Sequence, residues 1–306
     1  WSLFKHEIAD AMNVECSSIE IAFSLAIFFL GMSAAFCGRF IEKNVKYASL
    51  VSTICFSSGL LLTTVAMHLH SVPLFLLSYG CLMGIGLGIG YLSPVKTLML
   101  WFSENKGLAT GIAISGFGLS KAILSPLIEY LNHEYNVYVT LWAISIGSMI
   151  LMLLASFMIK KPREWHETTE RFRLRNVWNI ITNSEYIKIW FIFYLNITCG
   201  LALISFEKNI YLFNGITAVA LMSSITAFFN TFGRFGYSSY SDFLKHKEHI
   251  YIIIFCTCIL MCGFYVTEHV PIIYATILLL CVVNCGYGGG FSTLPILLHS
   301  KFGMKN

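Results

Sequence analysis

The reading of this chain turns on Val72–Leu100, VPLFLLSYGCLMGIGLGIGYLSPVKTLML, a run interrupted by a single charge, Lys96. Coiled into a helix at about 1.5 Å per residue, a run of this length outreaches the ~30 Å hydrocarbon core of a bilayer. The rest of the chain has the same character. Of 306 residues, 57% are hydrophobic and 12% charged, and the mean hydropathy is +0.72. Soluble domains carry about 25% charged residues, so the composition excludes a water-soluble fold and predicts an all-α, multi-pass membrane protein.

Apolar runs bounded by charges and turn residues predict nine spans, at 19–38, 47–69, 73–102, 107–131, 138–160, 185–206, 215–240, 250–267 and 271–299. Pro73 and Pro271 fall at first-turn positions, where the missing N–H costs nothing. Alternate connectors hold 15 of the 20 Lys and Arg residues, and that side is assigned to the cytoplasm. Eight acidic residues, Glu7, Asp10, Glu15, Glu20, Glu129, Glu134, Glu207 and Glu268, are read as lying on the opposite face. The modest net charge of +4 then reflects topology and gives no sign of nucleic-acid binding.

Nine of the ten cysteines lie in apolar runs and no CxxC pair occurs, so neither a disulfide framework nor a metal or cofactor site is expected. His68 and His70 near a span end read as polar interfacial caps. The segment 161–184 is charged and predicts a cytoplasmic linker between a bundle at 1–160 and a second at 185–306, with an amphipathic helix around 171–180. Gly84, Gly86, Gly88 and Gly90 fail the spacing of a nucleotide loop. Gly80, Gly84 and Gly88 instead form a ridge at i, i+4, i+8 against which a neighbouring helix can pack closely. No grouping of nucleophile, base and acid calls for an enzyme.

Two short segments echo one another. GRFIEK (Gly38–Lys43) follows the first span and YSDFLKHK (Tyr240–Lys247) the seventh, each an acid followed by bases, six spans apart. Repetition at that spacing is the mark of a transporter built from two related halves. Gly38, Glu42, Lys43 and Asp242 are the candidate gating-loop residues. The pattern resembles the loop signature of the major facilitator superfamily, with Glu42 where that signature has Asp.

Four further segments resemble spans four and five, seven, eight and ten of the oxalate:formate antiporter family. They are GIGLGIGYLSPVKTLMLWF (84–102) running into KGLATGIAISGFG (106–118), WFIFYLNITCGL (190–201), FFNTFGRFGYSSYSD (228–242) and GYGGGFSTLPILLHSKFGMKN (286–306). The resemblance implies a major facilitator fold with nine of twelve spans present, the first and last two lying outside the sequence. It implies a secondary transporter of small organic anions, with oxalate, formate, lactate and pyruvate as the family's range, working as a monomer with a counter-anion or proton. A transporter-like sensor that binds a carboxylate without moving it is the alternative.

Arg234 is the strongest site candidate. A charge deep in a span costs at least ~2.5–3.5 kcal/mol, so it must face a cavity or a partner, and its planar fork of donors fits a carboxylate. By resemblance it anchors the substrate carboxylate. Lys121 is the second cation within a span, expected either beside Arg234 at the substrate or paired with Glu129. Lys96 either snorkels to the headgroups or lines the vestibule. Tyr91, Asn196, Tyr287 and Phe291 are substrate-lining by resemblance, with ordinary helix packing as the other reading of each. The predicted spans hold no obvious mid-membrane acid, which favours exchange or uniport over proton coupling.

Overall fold

The computed structural model describes residues 1, 4–102, 104–162, 174–266 and 272–302. Among them there is no strand. The helices are α1 (Lys5–Met12), α2 (Cys16–Lys43), α3 (Val45–His68), α4 (Val72–Phe75), α5 (Gly84–Trp101), α6 (Lys106–Glu134), α7 (Val137–Met158), α8 (Leu174–Ile181), α9 (Ser184–Phe213), α10 (Val219–Ser241), α11 (His249–Val266) and α12 (Ile272–Phe302). A π-helical stretch, Leu76–Met83, joins α4 to α5, making one rod of 30 residues, Val72–Trp101. Seven helices among the described residues are long and apolar enough to cross a membrane. Helix α10 falls outside that set because its length is rich in Ser, Thr and Asn and carries Arg234.

The predicted spans fall on helices, with two instructive differences. Helix α2 continues through Lys43, so Gly38, Glu42 and Lys43 are the last turns of a helix, not a loop. Helix α9 runs seven residues past the expected end at 206, to Phe213. Its Glu207 is therefore inside a helix and 1% exposed, which overturns its reading as an external loop acid. Pro73 does sit in the first turn of α4, whereas Pro271 and residues 163–173 of the expected linker lie outside the described residues. Helix α8 occupies the end of the expected amphipathic segment, with Trp178 and Ile181 exposed.

The distribution of side chains fits a lipid solvent. Large apolar groups such as Phe36, Leu151 and Phe157 are exposed, while Ser33, Ser52, Thr53, Thr63, Thr64, Ser145 and Ser156 are buried. With lipid tails as apolar as leucine, burial of Leu or Phe brings no hydrophobic gain, and small or hydroxyl residues hold the helices together.

Contacts divide the chain into two units, Trp1–Trp101 with Leu127–Trp165, and Phe102–Pro126 with His166–Asn306. In the first unit the glycine ridge behaves as the spacing predicts. A methyl on Gly80, Gly84 or Gly88 would collide with Ala22 to Ser33 of α2. Gly86 meets α3 on the other side, where Ser52 donates to its carbonyl at 2.7 Å. Helices α3 and α7 are tied by Ser49 and Ser156, whose hydroxyls lie 2.7 Å apart. Near one end of this unit, Ile8, Met12, Ile19, Met67, Phe75 and Leu141 form an apolar cluster. There the ring of His68 stacks on Tyr138 at 4.3 Å, and His70 Nδ1 reaches the Met12 carbonyl at 3.1 Å.

In the second unit α10 lies against α12 at van der Waals closeness. Gly233 meets the backbone of Cys285, Gly288 meets that of Asn230, and Gly289 meets the Tyr237 ring. Residues 106–126 of α6 run antiparallel to α10: Gly107 touches Ser238, Gly111 touches Arg234 and Phe235, Gly118 touches Thr231, and Ser224 donates to the Ala122 carbonyl at 2.8 Å. At the end of that seam the Asp242 carboxylate accepts from the Gly107 and Leu108 amides at 2.8 and 2.9 Å. An anion at a helix N-terminus satisfies its orphan donors and its dipole together. Asp242 is thus the cap of α6.

Candidate substrate site

Arg234 lies two turns from the C-terminal end of α10 and is 6% exposed. Its Nε donates to Asn230 Oδ1 at 2.7 Å, one helical turn away, and Nη1 donates to the Ile114 carbonyl of α6 at 3.3 Å. Three rings surround the guanidinium: Phe291 at 5.1 Å, Phe117 at 5.8 Å and Tyr287 at 6.0 Å from ring centroid to Cζ. Each such contact contributes about 0.5–2 kcal/mol, more where water is excluded. Glycine makes this crowding feasible, since Gly288 leaves room for the Arg234 stem. The Ser292 hydroxyl then fastens the Arg234 carbonyl to α12 at 2.9 Å.

Tyr287, Phe291 and Arg234, singled out from the sequence, are therefore brought together. Asn196 lies on the other flank of α12. Its amide donates weakly to the Gly286 carbonyl at 3.5 Å and its carbonyl sits over Gly290, buried and without a hydrogen-bond partner. Tyr91 belongs to the first unit. The candidate gating residues separate in the same way. Gly38 and Glu42 are in the first unit, where Lys96 donates to the Glu42 carboxylate at 3.0 Å and the Gly38 carbonyl at 3.2 Å. Nothing in the sequence signals this pairing. The Lys43 carbonyl accepts from Lys161 at 2.9 Å.

Lys121 departs most from expectation. It is not paired with Glu129 but with Glu207 of α9, in direct contact with Oε2. The other carboxylate oxygen accepts from Tyr211 at 2.8 Å and from the Thr226 hydroxyl of α10. Glu207 is thus a fully ligated carboxylate within a spanning helix, and the argument against proton coupling loses its premise. Thr226, Asn230 and Arg234 repeat every four residues along one face of α10, so a polar ladder leads from the Lys121–Glu207 pair to the guanidinium over about 12 Å of helix. Phe117, Asn230, Glu207, Tyr211 and Thr226 were all missed from the sequence. The four-residue spacing of Thr226, Asn230 and Arg234 was the one available signal.

Residues 2–306 match the sequence profile described as the Major Facilitator Superfamily. The chain belongs to that superfamily. It is accordingly an integral, multi-pass membrane protein of a transporter family. The uncharacterised MFS-type transporter YhjX of Escherichia coli (strain K12) is 24% identical over 318 residues, covering 100% of this chain and 77% of YhjX. The oxalate:formate antiporter of Oxalobacter formigenes is 27% identical over 164 residues, 53% of this chain and 38% of the antiporter. Monocarboxylate transporter 12 of Homo sapiens is 31% identical over 118 residues, 38% of this chain and 22% of that protein. The matched segments thus span less than half the length of the two carboxylate-named relatives.

Proposed function

We propose that this major facilitator protein moves small organic anions across its membrane by alternating access, with mono- or dicarboxylates such as oxalate, formate, lactate and pyruvate as the substrate class. The observation that carries this reading is the setting of Arg234. A guanidinium buried among Phe117, Tyr287 and Phe291 offers a planar donor array in a weakly polar enclosure, where a carboxylate gains most from charge and bidentate geometry. The names of two relatives support the same class. In this reading Arg234 anchors the carboxylate, the three rings enclose its apolar part, and Asn230 fixes the orientation of the fork.

The test is uptake of a panel of labelled mono- and dicarboxylates by the full-length protein in vesicles, compared with Arg234→Gln. A charge-assisted hydrogen bond contributes ~1.5–3 kcal/mol, so transport of the accepted anion drops by roughly 10–100-fold in the variant. Uptake by Arg234→Gln at the wild-type rate would contradict the anchoring role, because a neutral amide cannot balance the anion.

A further inference from the structure

Between Arg234 and the Lys- and Arg-rich side assigned to the cytoplasm, three helices of the second unit carry polar groups toward one another. On α10 the four-residue series that includes Arg234 continues through Ser238 to Asp242. On α6, Lys106, Thr110 and Ile114 share one face, and the Ile114 carbonyl is the one that accepts from the guanidinium. On α12, His299 lies two turns beyond Phe291, the ring nearest the guanidinium. Lys106 Nζ meets His299 Nε2 at 2.6 Å. The faces therefore converge eight residues, or about 12 Å, along α6 and α12 from the level of Arg234.

An ammonium can only donate, so His299 Nε2 accepts and the ring proton is on Nδ1. Nδ1 is buried with no hydrogen-bond partner. The Thr110 and Ser238 hydroxyls are in the same condition, in residues that are 0% exposed. Buried polar groups without partners are costly, and a simple tie between Lys106 and His299 accounts for neither hydroxyl. Asp242 is committed to the Gly107 and Leu108 amides, and among the described residues no carboxylate is in ion-pair contact with Lys106. An ammonium, an imidazole N–H and two hydroxyls with no anion among them make a receptor for one. Resting on the carboxylate-carrier reading above, we infer that Lys106, His299, Thr110 and Ser238 form a second carboxylate site, which holds an anion before it reaches Arg234 or after it has left. A carboxylate is a better acceptor for the ammonium than a neutral imidazole and replaces it on Lys106. Each anion is on one site or the other, since the separation exceeds the length of oxalate or pyruvate. Two anions bound at once repel, and at about 12 Å with an effective dielectric of about 20 this weakens the second binding about tenfold. An anion arriving at the second site thus loosens the one on Arg234, which is what exchange against a counter-anion needs.

The experiment is equilibrium binding of labelled mono- and dicarboxylates, pyruvate and oxalate included, to the full-length protein in detergent. Wild type binds in two steps, the second roughly tenfold or more weaker than the first. Arg234→Gln loses the tighter step and keeps a weaker one. Lys106→Met loses the weaker step, whereas Lys106→Arg, which keeps the cation, retains it. Thr110→Val/Ser238→Ala keeps the test open should Lys106→Met fold poorly. Removing hydroxyls that have no partner does not lower the melting temperature, while the weaker step weakens by about tenfold. A single step in wild type, or a weaker step that persists undiminished in Lys106→Met or in Thr110→Val/Ser238→Ala, overturns the second site and leaves Arg234 standing as the anchor. No saturable binding of any of these anions by the wild type overturns both.

Discussion

Arg234 and Glu207 are both charges inside spanning helices, yet only the first could be read from the sequence. Arg234 interrupts FFNTFGRFGYSS, where no other charge offers a competing explanation. Glu207 sits beside Lys208 at the close of an apolar run, where hydropathy naturally places a span end, and its ligands Lys121 and Thr226 lie 86 and 19 residues away in sequence. A long-range ion pair carries no local pattern. Two expectations follow at this scale. Arg234→Lys keeps the charge but loses the planar fork, so its carboxylate uptake falls between those of wild type and Arg234→Gln, as initial rates in vesicles would show. Glu207→Ala leaves the half-buried Lys121 ammonium without its carboxylate and is destabilising, whereas Lys121→Met/Glu207→Gln costs less than that single change. Thermal unfolding in detergent reads the order, and a double variant less stable than Glu207→Ala would contradict it.

Helix positions were legible and their limits were not. Apolar runs locate the part of each helix in oil, but α2 and α9 carry on beyond it, to Lys43 and Phe213, because backbone hydrogen bonds favour continuing a helix wherever polar side chains find partners. The glycine ridge of α5 was readable as packing because its period is helical. The cap of α6 was not, since Asp242 reaches the Gly107 and Leu108 amides from 135 and 134 residues away. Asp242→Ala therefore removes two amide partners and a favourable charge, lowering stability by about 1–2 kcal/mol, measurable as faster hydrogen exchange at the start of α6. Gly118→Val forces a branched side chain onto Thr231, and the α6–α10 seam must part. The expected result is a markedly lower melting temperature, and an unchanged one would contradict the close contact.

At the scale of the molecule, charge asymmetry and composition sufficed for the class, and the superfamily match over residues 2–306 agrees. The asymmetry of Lys and Arg also sets an orientation that chemistry can read. In an otherwise cysteine-free background, a cysteine at Lys247 reacts with an impermeant maleimide only from the cytoplasmic face and one at His70 only from the other. Labelling of both from one side would break the topology. What joins composition to function, however, is one guanidinium enclosed by three rings. Equilibrium binding of labelled carboxylates to the purified full-length protein, wild type against Arg234→Gln, tests that link without requiring transport. Saturable binding that weakens at least tenfold in the variant is the predicted result, and binding of equal affinity in both would contradict the account.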